Sequence, residues 1–159
     1  ERLCRELGDP ARLASSLGDQ AYIEYNRGNL DKAMKLSQEQ ERLCRELGNP
    51  VGLATSLGDQ ALIFKARGNL DVAMKLHQEE ERVYRELGNP AGLAVSLGNQ
   101  AHIQYIRGDL DSAMKQLQEQ EQLYRELGDP AGLAASLGCQ ALILKARGNL
   151  DVAMKLHQE

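Results

Sequence analysis

Nowhere among the 159 residues do 18 apolar residues follow one another, and 26% of the chain is charged, so no segment reads as a membrane-spanning helix. No secretory pattern stands at the N-terminus. Lysine and arginine form no dominant cluster and the net charge is only -4, which leaves no electrostatic footprint for nucleic acid. Cysteine is scarce and odd in number: Cys4 and Cys44 hold the same place in successive copies of a pattern, and Cys139 stands elsewhere. That usage fits small residues in a reducing compartment better than a disulfide framework, and a cytoplasmic location is expected. No alternation typical of strands is present.

Proline is rarer than its neighbours would suggest, with four in all, and its placement is the key to what the chain contains. Pro10, Pro50, Pro90 and Pro130 recur every 40 residues, as do Gly28, Gly68, Gly108 and Gly148, and Ala33, Ala73, Ala113 and Ala153. The chain is four copies of one unit, and a period of this size marks a stacked repeat. The copies are expected at 9–48, 49–88, 89–128 and 129–159, with residues 1–8 finishing a helix whose start is missing and the last copy lacking its end. All of 1–159 is expected to form a single solenoid.

Each unit predicts two helices. Asp9, Asn49, Asn89 and Asp129 are good N-caps, each followed by proline at the first helical position. Apolar residues then recur at spacings of three and four, and Gly28 and its copies end the helix in the left-handed conformation. Helix A is expected over 10–27 and helix B over 31–47. Each exposes an apolar stripe that only a neighbouring hairpin can cover. On the outer side of helix B, Asp31 with Lys35 and Glu41 with Arg45 have the spacing of helical ion pairs. Gly18, Gly58, Gly98 and Gly138 fall inside helix A, where each costs about 1 kcal/mol relative to alanine. Their recurrence predicts the close approach of another backbone or of a ligand chain.

The stretch SLGDQALIFKARGNLDVAMKLHQ (56–78) carries a leucine, the small Ala61, the large Phe64, RGNLDVA around the turn, and Ala73. This run resembles the tetratricopeptide repeat family. Its 40-residue spacing is similar to that in kinesin light chain and in the spindle-orientation adaptors with Leu-Gly-Asn repeats. The resemblance implies an all-α, right-handed solenoid of antiparallel helix hairpins, with helix A lining a concave groove. Departures are plain: Gln20, Gln60, Gln100 and Gln140 stand where leucine is usual, and Ser37, His77, Leu117 and His157 fill an aromatic slot. The glutamines read either as a hydrogen-bonded ladder between repeats or as stems that pack while their amides reach water.

No catalytic constellation stands out. The Ser-x-x-Lys spacing at Ser112 and Lys115 has Lys32 and Val72 at the serine position in other copies. The three histidines do not form a metal set, every glycine belongs to the repeat, and no cofactor is expected. What varies between copies is more informative. On the face the resemblance assigns to the groove, copy one presents Asp19, Tyr22, Tyr25 and Asn26. Copy two presents Asp59, Leu62 and Lys65, copy three Asn99, His102 and Tyr105, and copy four Leu142 and Lys145. Leu17, Ala21, Ile23, Ala33 and Met34 recur unchanged beneath them. Alternating Tyr25/Tyr105 and Lys65/Lys145 suit an extended peptide bearing carboxylates and apolar side chains.

The expected function is therefore a non-catalytic scaffold that binds a peptide or partner protein, with no nucleic acid and no membrane as partner. Drift at exposed positions would produce the same variation. A second reading comes from the ends. Joining AMKLHQE at the C-terminus to ERLCRELGDP at the N-terminus nearly restores the interior sequence AMKLHQEEERVYRELGNP (73–90). The chain reads either as a section of a longer array or as a module whose terminal half-helices stack end to end, a heterologous contact that makes filaments.

Overall fold

The computed structural model describes residues 9–148. Seven helices follow in order: α1 Pro10–Asn26, α2 Leu30–Glu46, α3 Pro50–Ala66, α4 Leu70–Glu86, α5 Pro90–Ile106, α6 Leu110–Leu127 and α7 Pro130–Ala146. There is no strand among the described residues. The expected boundaries hold to within a residue. The segments 1–8 and 149–159, including the terminal half-helices and His157, lie outside the described residues.

Local chemistry explains each start and stop. The side chains of Asp9, Asn49, Asn89 and Asp129 accept from the backbone N–H three residues on, at 3.0 Å in each case. This satisfies a donor that the first helical turn leaves orphaned. Gly28 (φ +79°) and Gly48 (φ +60°) take the left-handed conformation at the two kinds of turn, and among the described residues none other than glycine has positive φ.

The chain separates into two compact units, Glu1–Leu87 and Gly88–Glu159. In the first, α1 packs on α2, α2 on α3 and α3 on α4, with α1 also touching α3. One core cluster joins Ala14 and Leu17 to Leu43 and Cys44, and a second joins Ala33 and Met34 to Ile63 of the next copy. In the second unit α5 packs on α6 and α6 on α7, and Ala101, Ala113, Met114 and Leu117 enclose Ile143. An isoleucine of one helix A thus plugs into the preceding copy's helix B. Each such side chain contributes roughly 1.5–3 kcal/mol by leaving water. Ile23, expected to belong to this invariant scaffold, is instead 46% exposed, since no helix precedes α1 among the described residues.

Polar groups also tie copies together. Gln60 donates to Glu41 of the previous copy at 2.6 Å, and Gln140 to Glu121 at 2.7 Å. Both glutamines are buried and bridge repeats through glutamate partners, whereas Gln20 donates to Ser16 of its own helix and Gln100 accepts from Gln116 of its own copy. Glu41 and Glu121 at the same time accept from Arg45 and Arg125 one turn on, as their spacing predicts. Asp31 and Asp111 differ from expectation. Their carboxylates pair with Arg67 and Arg147 of the next copy.

Three of the four mid-helix glycines make room for helix B side chains rather than for another backbone. A Cβ built on Gly18 would lie 2.5 Å from the Gln40 amide nitrogen, and one on Gly58 would lie 2.5 Å from Glu80 Oε1. Gly98 meets Gln120 in the same way. Gly138 has nothing within 4 Å among the described residues. Gly138→Ala is therefore expected to raise stability by about 1 kcal/mol through helix propensity. Gly58→Ala is expected to lower it by about 1–3 kcal/mol, because Glu80 is buried and held by His77. Urea denaturation of the two variants, with Gly138→Ala more stable than Gly58→Ala, checks the assignment.

Candidate peptide-binding surface

The outward side of helix A carries the residues that differ between copies, over a constant buried layer of Leu17, Ala21 and their counterparts. Within residues 9–87, Tyr22 is 60% exposed, while Tyr25 is half-buried against the Ala33–Met34–Ile63 cluster. Tyr22, Tyr25, Asp59 and Leu62 come together along a narrow cleft between α1 and α3, floored by Ala21 and Ile63. Asp19, Asn26 and Lys65 do not line it. Asn26 instead donates its amide to the backbone carbonyl of Tyr22 at 2.9 Å. Lys65 is half-buried, and burial pushes its ammonium below the usual lysine range.

Within residues 88–148 a larger hollow of about 460 Å³ opens between α5 and α7. Asn99, His102, Tyr105 and Leu142 all line it, with Val95 beside them; Lys145 does not. Leu142 is 52% exposed and Tyr105 and Val95 are also open, so an apolar surface faces outward. The floor comes from helix B: Leu117, Gln120 and Tyr124. Gln120 is fixed by donating to the carbonyl of Ala94 at 2.8 Å.

This helix B layer is what the reading of helix A missed. Its members are Gln40, Glu80 and Gln120 under the mid-helix glycines, with Cys44, Tyr84 and Tyr124 one turn on. The signal was present, since a glycine that costs helix propensity in three successive copies requires a partner of comparable bulk. His77, in the aromatic slot, is fully buried with its Nδ1 2.7 Å from Glu80 Oε2. Above it, burial and the neighbouring Glu80 push the Asp59 carboxyl up to about 7. Tyr84 is pushed up by burial while bonded to the Thr55 hydroxyl.

Chemically these surfaces offer apolar area, amides and a few ionisable groups. Burial raises the thiols of both Cys44 and Cys139, which suppresses the nucleophilic thiolate. Ser112 lies in the first turn of α6, where its backbone N–H donates to the N-cap side chain of Asp109. Among the described residues no three of His, Cys, Asp and Glu are placed to hold a metal ion, and no helix is long and apolar enough to cross a membrane.

This architecture is shared with known structures. BtubC (BKLC) from P. vanneervenii matches with a TM-score of 0.84 at 22% identity, over 94% of this chain and 62% of that one. A kinesin light chain-type protein of Podosopora anserina with nearly identical TPR-like repeats matches with a TM-score of 0.77 at 18% identity, over 92% and 72%. A signal transduction ATPase with a tetratricopeptide repeat sensor, from Pyrococcus horikoshii, matches at 0.82 and 17%, over 96% and 24%. The fold is that of the tetratricopeptide-like repeats, an all-α solenoid of helix hairpins. The chain spans less than two thirds of BtubC and about a quarter of the ATPase. No protein-family model matches the chain, and no curated protein sequence does.

The division between open surface and buried scaffold is directly measurable. Leu142→Ala is expected to change stability by less than about 0.5 kcal/mol. Ile143→Ala, one residue on and buried, is expected to cost about 2–5 kcal/mol. Denaturation of the two single variants, with equal losses as the contrary outcome, decides it.

Proposed function

We propose that this chain is a non-catalytic scaffold that binds an extended peptide segment of a partner protein along the exposed faces of its A helices. The observation that carries the reading is the hollow between α5 and α7. It gathers Asn99, His102, Tyr105 and Leu142 from two copies of a helix whose buried side is constant. An outward apolar surface with interspersed amides suits a ligand that brings its own backbone hydrogen-bonding groups and a few apolar side chains. The fold shared with TPR-like proteins, one of which uses its repeats as a sensor, is consistent with that role.

We assign Asp19, Tyr22, Tyr25, Asn26, Asp59, Leu62 and Lys65 to the exposed helix A face of the first unit, and Lys145 to that of the second. The ligand preferred is acidic with apolar side chains. Lys145, which is exposed, supplies the attraction, and the desolvated ammonium of Lys65 gains from a carboxylate brought against it.

The test is binding to a panel of extended acidic peptides carrying leucine or phenylalanine, measured by fluorescence anisotropy. Lys65→Glu combined with Lys145→Glu is expected to weaken binding about tenfold or more, equivalent to roughly 1.4 kcal/mol. Tyr105→Ala should weaken it as well. Unchanged affinity in both variants would refute the surface assignment.

A further inference from the structure

In the second copy a buried carboxylate, that of Glu80, comes up beneath α3 at Gly58, beside Asp59. The position occupied by Glu80 is glutamine in the copies on either side, Gln40 and Gln120, and the position of Asp59 is Asp19 and Asn99. Glu80 is buried against the backbone of Gly58, so its carboxylate lies beneath α3 next to Asp59. Its other oxygen is engaged by His77, which replaces Ser37 and Leu117 of the neighbouring copies and is fully buried. In copy one, Asp19 is exposed above an uncharged glutamine; in copy three both positions are amides. Gln120 carries no titrating group and donates instead to the Ala94 carbonyl.

The surroundings of Asp59 are defined on each side. Tyr22 and Tyr25 flank it from α1. The carboxylate that α2 offers to α3, Glu41, is taken by Gln60 and Arg45. From α4 come Glu80, His77 behind it, and Tyr84, whose hydroxyl feels both carboxylates. The charge that α4 turns toward Asp59 is therefore that of Glu80. Asp59 resists ionisation first because it is partly out of water, and the carboxylate of Glu80 beside it adds to that in a medium of reduced dielectric.

We propose that the Asp59–Glu80–His77 cluster is a pH-sensitive device in the α3–α4 hairpin, which holds one proton in its tight state and loosens when that proton is lost. The device does not depend on the binding role above. Its sign follows from linkage. Asp59 in the folded chain titrates at about 7, against about 4 for an unfolded aspartate. Between those values the folded state binds more protons than the unfolded one. Stability is then highest below about pH 4, falls as pH rises toward about 7, and is level above it as far as this group is concerned. That is the reverse of an aspartate in a salt bridge. Because Asp59 also lines the cleft with Tyr22 and Leu62, loss of the proton puts a negative charge on that exposed surface at the same time.

Three substitutions test this on the whole chain, each judged by two measurements: the carbon-13 carboxyl titration of Asp59 and the urea midpoint from about pH 5 to about pH 8. Glu80→Gln installs the residue of the adjoining copies, and Asp59→Asn that of copy three. The wild-type Asp59 signal is expected to titrate near neutrality and to move part of the way toward the ordinary aspartate range in Glu80→Gln, because burial, the larger cause, remains. The wild-type urea midpoint is expected to fall with rising pH, and Asp59→Asn to flatten that slope. Asp19→Asn is the control and should leave the slope as it is. An Asp59 signal in the ordinary range, or one unmoved by Glu80→Gln, overturns the proposal. So does a slope that survives Asp59→Asn, or one that Asp19→Asn abolishes equally. If Glu80→Gln fails to fold, the wild-type titration and the Asp59→Asn slope still decide between these outcomes.

Discussion

Close approach of helices at alanine is the contact from which the rest of this structure follows. Ala33, Ala73 and Ala113 have no exposed surface at all, and Ala21, Ala61 and Ala101 have almost none. With only a methyl group between them, the two helices of a hairpin sit near enough for Ile63 and Ile143 to reach the Ala-Met pair of the preceding copy. Interiors of this kind are packed like crystals, so a seam of alanines leaves little freedom in how one helix crosses the next. Once that seam is set, one side of helix A is committed to the core and the other is left outside. The exposed surface is a consequence of the seam and requires no instruction of its own.

A second layer of contacts is polar, and it distinguishes the copies. Under the mid-helix glycines lie Gln40, Glu80 and Gln120, groups that are buried and must be satisfied. Between copies, Gln60 and Gln140 hold glutamates that their own arginines also hold. Such contacts add modest net stability, but they penalise any slip that would leave a buried amide or carboxylate without its partner. The apolar seam is the same in each hairpin, whereas the polar layer differs. Chemical individuality in this chain therefore resides in the helix B side chains as much as on the outer face of helix A.

Copy one shows how a single position is adapted. Glu24 is buried and accepts from Asn29 at 2.6 Å and from Lys32 at 2.9 Å, with Arg27 nearby. Lys32 first, and then Asn29, hold its carboxyl below the usual glutamate range. The same position is Phe64 and Leu144 in copies two and four, where it joins the apolar packing. A charged clasp at the turn and an apolar plug are alternative ways of closing one gap.

Helix limits, turn glycines, proline-led caps and the hairpin repeat were legible in the sequence alone. They depend on interactions within a few residues, or on a period that 40-residue spacing displays openly. The glutamate–arginine pairs were legible for the same reason. The sequence also determined which positions vary, and so which side of helix A is a candidate surface. Only the tertiary structure decided that Asp31 pairs with Arg67 and that Gln60 pairs with Glu41, because those partners sit in the next or the previous copy. It likewise decided that Gly58 makes room for Glu80, that Asp59 lies beside that carboxylate, and that the floor of the α5–α7 hollow is built by Gln120 and Tyr124. The pairs named join residues 19 to 36 positions apart, and the distance between such residues is set by how hairpins pack, a quantity no local pattern contains.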